Sequence, residues 1–307
     1  MTLISVRDFM RGLFSNPYFL LAVTMTFWGG NAIAGRLAAD EMTPISLTFA
    51  RWVGACLICY VAARARIHND FAELRAAWKP IFVLGSIGFA GFNLTYYWAL
   101  NYTTAINVAI VQAVIPVFII ALNFAIFGQT LRWLQIVGVA ITVVGAIVVV
   151  GRGEIELLLA LDFNRGDLIM VGALLLYACY AVGLRRKPTL HWVTLLFGMS
   201  LAALVTVTPF FAIELIVGEP RWPGLVGWLV IGYVCIFPSL LAQLFFLRSV
   251  ELVGANRAGA FINLTPILGS CMAIAFLGEQ LHVYHVVALG LVFAGLAVVE
   301  KFARKDA

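Results

Sequence analysis

The stretch Thr103–Val150, TTAINVAIVQAVIPVFIIALNFAIFGQTLRWLQIVGVAITVVGAIVVV, contains a single charged residue, Arg132. It divides around Gly128 into two apolar runs. A helix needs about 20 such residues to cross a hydrocarbon core of ~30 Å. The stretch therefore reads as two membrane spans, the first interrupted by Pro116. Sliding the sequence by 150 positions places Pro116 on Pro266, Gly128 on Gly278, Leu131 on Leu281 and Gly145 on Gly295. Ala105 meets Ala255, and no gap is needed from Gly85 to Val150. Apolar helices give chance identities easily, so the coincident prolines, glycines and helix ends carry the weight.

Extending the same reading along the chain predicts an all-α integral membrane protein. The expected spans are Pro17–Arg36, Pro44–Arg64, Trp78–Leu100, Thr103–Phe127 and Leu131–Val150 in the first half. Gly166–Gly183, Trp192–Val217, Pro223–Leu247, Asn256–Leu277 and Val283–Val299 follow in the second. Residues 1–150 and 151–307 thus form two five-helix repeats. An odd number of spans inverts the second repeat, so the axis relating them lies in the membrane plane, with a solute site between the halves.

The composition agrees. Of 307 residues, 63% are hydrophobic and 11% charged, where a soluble domain has ~25% charged. Mean hydropathy is +1.01. These values exclude a soluble enzyme, a disordered regulator and a nucleic-acid binder. The net charge of +5 reflects cytoplasmic lysine and arginine instead. With an inside N-terminus, fifteen basic residues lie on the inner side and four on the outer, namely Arg36, Arg152, Arg165 and Arg221. Both termini are therefore expected in the cytoplasm. Cys56, Cys59, Cys179, Cys235 and Cys271 sit in apolar runs without metal-ligand spacing and read as small hydrophobes. No cofactor or metal is expected.

Phe27-Trp28-Gly29-Gly30-Asn31, Phe49-Ala50-Arg51 and Gly278-Glu279-x-Leu281 resemble the EamA family of the drug/metabolite transporter superfamily. The likeness covers nearly the whole chain. It departs from the family pattern at Gly128-Gln129, where Gly-Glu is usual. The aromatic-rich third span is most similar to YddG-type aromatic amino-acid exporters. The resemblance implies ten helices in inverted repeats and outward movement of metabolites across a bacterial inner membrane, with small molecules and lipids as partners.

No Asp or Glu lies in the middle of a span. Their absence argues against a dedicated cation exporter and against carboxylate-coupled proton antiport. No nucleophile–base constellation or P-loop is present, so neither an enzyme nor an ATP-driven pump is expected.

The polar residues within spans are the candidate substrate contacts. Arg51 lies about 10 Å deep at 1.5 Å per residue. It reads either as a two-pronged clamp for a carboxylate or as a structural tether between helices. Asn93 and Tyr97 share a helix face with Asn101, and the 150-residue shift sets Asn93 on Gln243. Paired amides could hydrogen-bond a zwitterion from both sides, or simply join helices. Gln112, Asn263, Trp28, Asn31, Tyr177 and Tyr180 complete the expected lining. Pro116, Pro238 and Pro266 free carbonyls and mark expected hinges. His282 and His285 are expected to face outside solvent. The overall expectation is a secondary transporter of small neutral or zwitterionic metabolites, amino acids foremost. Multidrug or viologen efflux is the alternative, and a membrane-embedded structural or enzymatic protein the alternative of another class.

Overall fold

The computed structural model describes residues 16–128, 132–154, 164–218, 221–253 and 261–302, the side chains of Val150, Glu251, Asn263 and Glu300 excepted. All regular structure among them is helical. In chain order the first half holds α1 (Pro17–Ala38), α2 (Pro44–Asn69), α3 (Phe71–Ala76), α4 (Trp78–Leu84), α5 (Phe92–Ala99), α6 (Ala105–Gln112), α7 (Ile115–Phe127) and α8 (Trp133–Val150). The second half holds α9 (Arg165–Gly183), α10 (Trp192–Val217), α11 (Leu225–Ile236), α12 (Ala242–Val253), α13 (Thr265–Leu277) and α14 (Val283–Lys301).

Helix starts follow from capping chemistry. Asn16, Thr43, Thr104 and Asn164 each accept a backbone N–H of the first turn, and proline follows immediately in α1 and α2. Such caps satisfy donors that have no partner within the helix. Gly128 and Gly278 end α7 and α13 with φ of 63° and 66°, left-handed conformations that glycine adopts without steric cost.

Two expected spans run through π-helical turns, Gly85–Gly91 between α4 and α5 and Phe237–Leu241 between α11 and α12. Two others are broken at their prolines. The chain turns at Ala113–Val114 before Pro116 opens α7, and a 3₁₀ turn at Ile262–Leu264 precedes Pro266 in α13.

Among the described residues, five helical runs are long and apolar enough to cross a membrane: 44–69, 105–127, 165–186, 192–217 and 225–250. Shorter apolar helices cover 133–149, 265–277 and 283–299. Their outward faces carry Val61, Ile216, Val217 and Val283, all at least 70% exposed. Such faces are stable only against lipid or another apolar surface. Trp78 and Trp98, near the two ends of the α4–α5 run, are also exposed, as in interfacial aromatic belts. This is a multi-pass membrane protein.

The halves interleave. α1 packs on α12 and α13, while α9 packs on α5 and α7; α2 packs on α10, and α8 on α14. The α8–α14 contact is antiparallel and close. A methyl group on Gly138 would lie 2.7 Å from the Gly295 carbonyl oxygen, and one on Gly145 would lie 3.0 Å from that of Ala288. Small residues allow this approach, and backbone proximity replaces the hydrophobic drive that lipid does not supply.

Candidate functional site

Arg51 is the hub of the interior. Its side chain is 5% exposed, and three other segments converge on it. Nε donates to Ser239 Oγ in the second π turn at 2.8 Å. Nη1 donates to Asn31 Oδ1 on α1 at 3.1 Å and to Asn93 Oδ1 on α5 at 2.8 Å, and it also meets the Tyr97 hydroxyl. Tyr97 in turn donates to Asn31 Oδ1 at 2.8 Å. The guanidinium lies 5.1 Å from the centre of the Trp52 ring, which stacks on Phe89 at 4.7 Å. Every one of these partners is neutral. An ion pair, Arg66–Asp70, lies at the far end of α2, away from this cluster.

The π turns provide the local geometry. Pro238 has no N–H to offer, so the Val234 carbonyl needs another donor. Ser239 Oγ supplies it at 2.6 Å, while accepting from Arg51. In the first half Asn93 Nδ2 donates to the Phe89 carbonyl at 2.7 Å. Its oxygen is thereby turned toward Arg51. Irregular helical turns inside membrane helices are tolerated where side chains satisfy the released groups or where the turns border a cavity.

Both conditions hold, because a cavity of about 450 Å³ adjoins the hub. Of the residues expected from sequence, Trp28, Asn31, Arg51, Asn93, Gln112, Tyr177, Tyr180 and Gln243 lie on its wall, as do Pro116, Pro238 and Pro266. Tyr97 does not; it is 1% exposed and braces Arg51. The Asn263 side chain lies outside the described residues.

The sequence reading missed Trp52, Phe89, Phe92, Ser239, Phe246 and Lys187 on the wall. Helical spacing offered a signal for one of these, since Phe89 stands one turn before Asn93. Ser239 follows Pro238 directly, where a hydroxyl is well placed to satisfy a freed carbonyl. The aromatic lining forms two groups: Phe92 lies 5.1 Å from Tyr177 and Tyr177 lies 5.7 Å from Tyr180, while Trp28 lies 5.4 Å from Phe246. Gln112 and Gln243 make no side-chain hydrogen bond among the described residues, so their amides face the cavity unengaged. The cavity reaches Leu184, Lys187 and Trp192 at the α9–α10 connection.

A family model described as the EamA-like transporter family matches residues 15–151 and again 164–300. The chain belongs to the EamA-like transporter family. The uncharacterized transporter YyaM of Bacillus subtilis is 27% identical over 284 residues, covering 92% of each chain. The uncharacterized inner membrane transporter YedA of Escherichia coli K12 is 23% identical over 279 residues, covering 89% of this chain and 86% of that one. A solved crystal structure matches with a TM-score of 0.66 at 19% identity, over 94% of this chain and 99% of the other, and so shares the fold. As a member of this family the protein is a membrane transporter, and its substrate is a small molecule.

This EamA-like protein holds a second polar cluster away from the cavity. Asp167, in the first turn of α9, has no exposed surface. Thr103 donates to Asp167 Oδ1 at 2.6 Å, and Asn107 Nδ2 donates to Oδ2 at 3.5 Å. Asn107 Oδ1 lies 3.0 Å from His285 Nε2. His285 Nδ1 accepts the His282 backbone N–H at 3.0 Å, so Nε2 carries the proton and donates to Asn107. His285 is therefore not the solvent-facing residue expected from sequence. It is 2% exposed because α14 packs it against the start of α6, where Asn107 supplies its partner.

Proposed function

We propose that this protein is a secondary transporter that moves small metabolites, amino acids among them, outward through the Arg51 cavity by alternating access. On this reading the chain crosses the membrane ten times as two inverted five-helix repeats, 1–150 and 151–307, in a bacterial inner membrane. Three features support the repeat. The family model matches twice. The α8–α14 contact exchanges with itself under the 150-residue shift, since Gly138·Gly295 becomes Ala288·Gly145. The partners of α1, namely α12 and α13, correspond under the same shift to the partners of α9, namely α5 and α7. Antiparallel packing of two repeat-equivalent helices is what a twofold axis in the membrane plane produces.

The observation that carries the function is the wall itself. It draws Arg51, Asn93 and Gln112 from one half and Ser239, Gln243 and Tyr177 from the other. A solute held there touches both halves and is released when they part. The α9–α10 connection carries Arg185, Arg186 and Lys187. By the positive-inside rule it faces the cytoplasm, so the cavity loads from inside. The breaks at Ala113–Val114 and Ile262–Leu264 provide the hinges, beside Pro116 and Pro266. Tyr177, Tyr180, Phe92 and Trp28 favour aromatic or large neutral side chains by stacking and area burial. Efflux of cationic drugs fits less well, because the described wall carries Arg51 and Lys187.

Liposomes made from the purified protein and loaded with a mixture of labelled amino acids, organic acids and a dicationic viologen test this reading. Protein-dependent release of a subset of small metabolites is expected. Release of none, or of viologen alone, overturns it.

A further inference from the structure

We infer that the cavity selects organic anions: it seats a carboxylate on Arg51 and the apolar or aromatic body of the same molecule against Phe92 and Tyr177. The inference rests on the cavity being the transport site. Its starting point is the one nitrogen of the Arg51 guanidinium, Nη2, for which no acceptor is found among the described residues. Nε and Nη1 hold Ser239, Asn31, Asn93 and Tyr97. That set already joins α1, α2, α5 and the second π turn. Nη2 carries two further N–H groups and has no acceptor among the described residues, although Arg51 is 5% exposed and borders the cavity. A tether would not need the free Nη2, whereas a carboxylate receptor would.

Charge points the same way. Arg51 has neutral partners alone, and a buried cation without a counter-ion is costly. A ligand carboxylate removes that cost with short charge-assisted bonds. The described wall contains Arg51 and Lys187 and no Asp or Glu. An ammonium group entering beside them leaves water, meets a field of its own sign and finds neutral amide, hydroxyl and carbonyl oxygens and ring faces, with no carboxylate on the described wall. Organic acids without an amine should therefore bind best, zwitterions less well and amines worst. The unengaged amides of Gln112 and Gln243 can both donate and accept. They suit a keto, hydroxy or second carboxylate oxygen.

Three probes share a phenyl body and differ in charge: 3-phenylpropionate, phenylalanine and 2-phenylethylamine. Calorimetric titration of the full chain in detergent at pH 7 should give affinities in that order, the first at least about tenfold above the last, as expected when a ligand meets a like charge in a desolvated site. Arg51 variants risk misfolding, so Gln243→Glu is the sharper tool; its amide has no protein partner to lose. It should weaken 3-phenylpropionate by roughly tenfold and strengthen 2-phenylethylamine. Equal or reversed affinities in the wild type, or an unchanged ratio of acid to amine affinity in Gln243→Glu, overturn the anion assignment. If that happens while the liposome mixture is still released, the carrier reading stands alone. If the mixture is not released either, both fall.

Discussion

Glu279 closes the start of the helix that begins at Ala105. Its Oε1 accepts the Ala105 N–H at 2.8 Å, and its Oε2 accepts the neighbouring Ile106 N–H at 2.9 Å. A carboxylate at a helix N-terminus satisfies orphan donors and meets the positive end of the helix dipole. Thr104 caps the next donor, Asn107 N–H. The left-handed Gly278 turns the chain so that Glu279 can reach across from the end of α13. Glu279→Ala should lower stability by about 1–2 kcal/mol, with Glu279→Gln falling between the two. Thermal unfolding in detergent reads this directly, and an unshifted midpoint for Glu279→Ala would remove the cap from the account.

That contact separates the legible from the illegible. Span positions could be read because apolar run length, proline and glycine are local signals. Glu279 could be read only as an acid outside a span, since its partners lie 174 and 173 residues away. Likewise Arg51 was visible as a charge in an apolar helix, but its neutral partners come from three other segments. Gln112 stood out as a candidate because carboxamides are rare in such runs, and Trp28 and Tyr180 because their rings carry a polar atom that needs a partner. Tyr97 was not separable from them, as facing the cavity and facing Arg51 leave the same helical spacing. Asp167 is at a helix end, as the sequence indicates, yet its burial depends on Thr103 and Asn107 packing over it.

Ser239 is expected to matter more than its size suggests. It is 2% exposed, donates to the Val234 carbonyl and accepts from Arg51 Nε. Ser239→Ala leaves both groups buried and unpaired, at a cost of about 1–3 kcal/mol for each. The expected result is a clear fall in thermal midpoint with reduced flux. Ser239→Thr keeps the hydroxyl and should retain most of both. Equal stability of Ser239→Ala and wild type would contradict the role.

Two glycines distinguish backbone strain from steric contact. A methyl group on Gly278 meets nothing within 4 Å, so Gly278→Ala costs only its left-handed φ of 66°, about 1–2 kcal/mol. On Gly295 the methyl would lie 2.5 Å from the Gly138 carbonyl oxygen and 2.3 Å from Thr142 Oγ1. Gly295→Ala must push α14 away from α8, so it should lose more thermal stability than Gly278→Ala. The reverse order would mean that the α8–α14 contact is looser than described.

Orientation is testable with single cysteines in a cysteine-free background. Lys187 and Arg66 belong to the basic side, while Glu154 follows the opposite end of α8; all three are exposed. In intact cells an impermeant maleimide should label Glu154→Cys rapidly and spare Lys187→Cys and Arg66→Cys until the membrane is opened. Rapid labelling of Lys187→Cys from outside would invert the orientation and place the cavity mouth on the wrong face for loading from the cytoplasm.

The repeat-matched amides, Asn93 and Gln243, are not equivalent. Asn93 is 4% exposed and is engaged on both sides, donating to Phe89 and accepting from Arg51. Gln243 borders the same cavity and has no described side-chain partner. Asn93→Ala should therefore lose stability and transport together, because two buried bonds vanish. Gln243→Ala should leave the unfolding midpoint within about 0.5 kcal/mol of wild type, as substitutions away from structural networks do. Its flux should still drop, since a solute leaving water needs each available polar partner. A lost hydrogen bond to a charged solute group weakens apparent affinity by about tenfold to a hundredfold. Initial rates across a concentration series, at matched protein content, separate this from a loss of active carrier. Wild-type affinity in Gln243→Ala for every transported solute would take Gln243 out of the binding site and leave recognition to Arg51 and the aromatic wall.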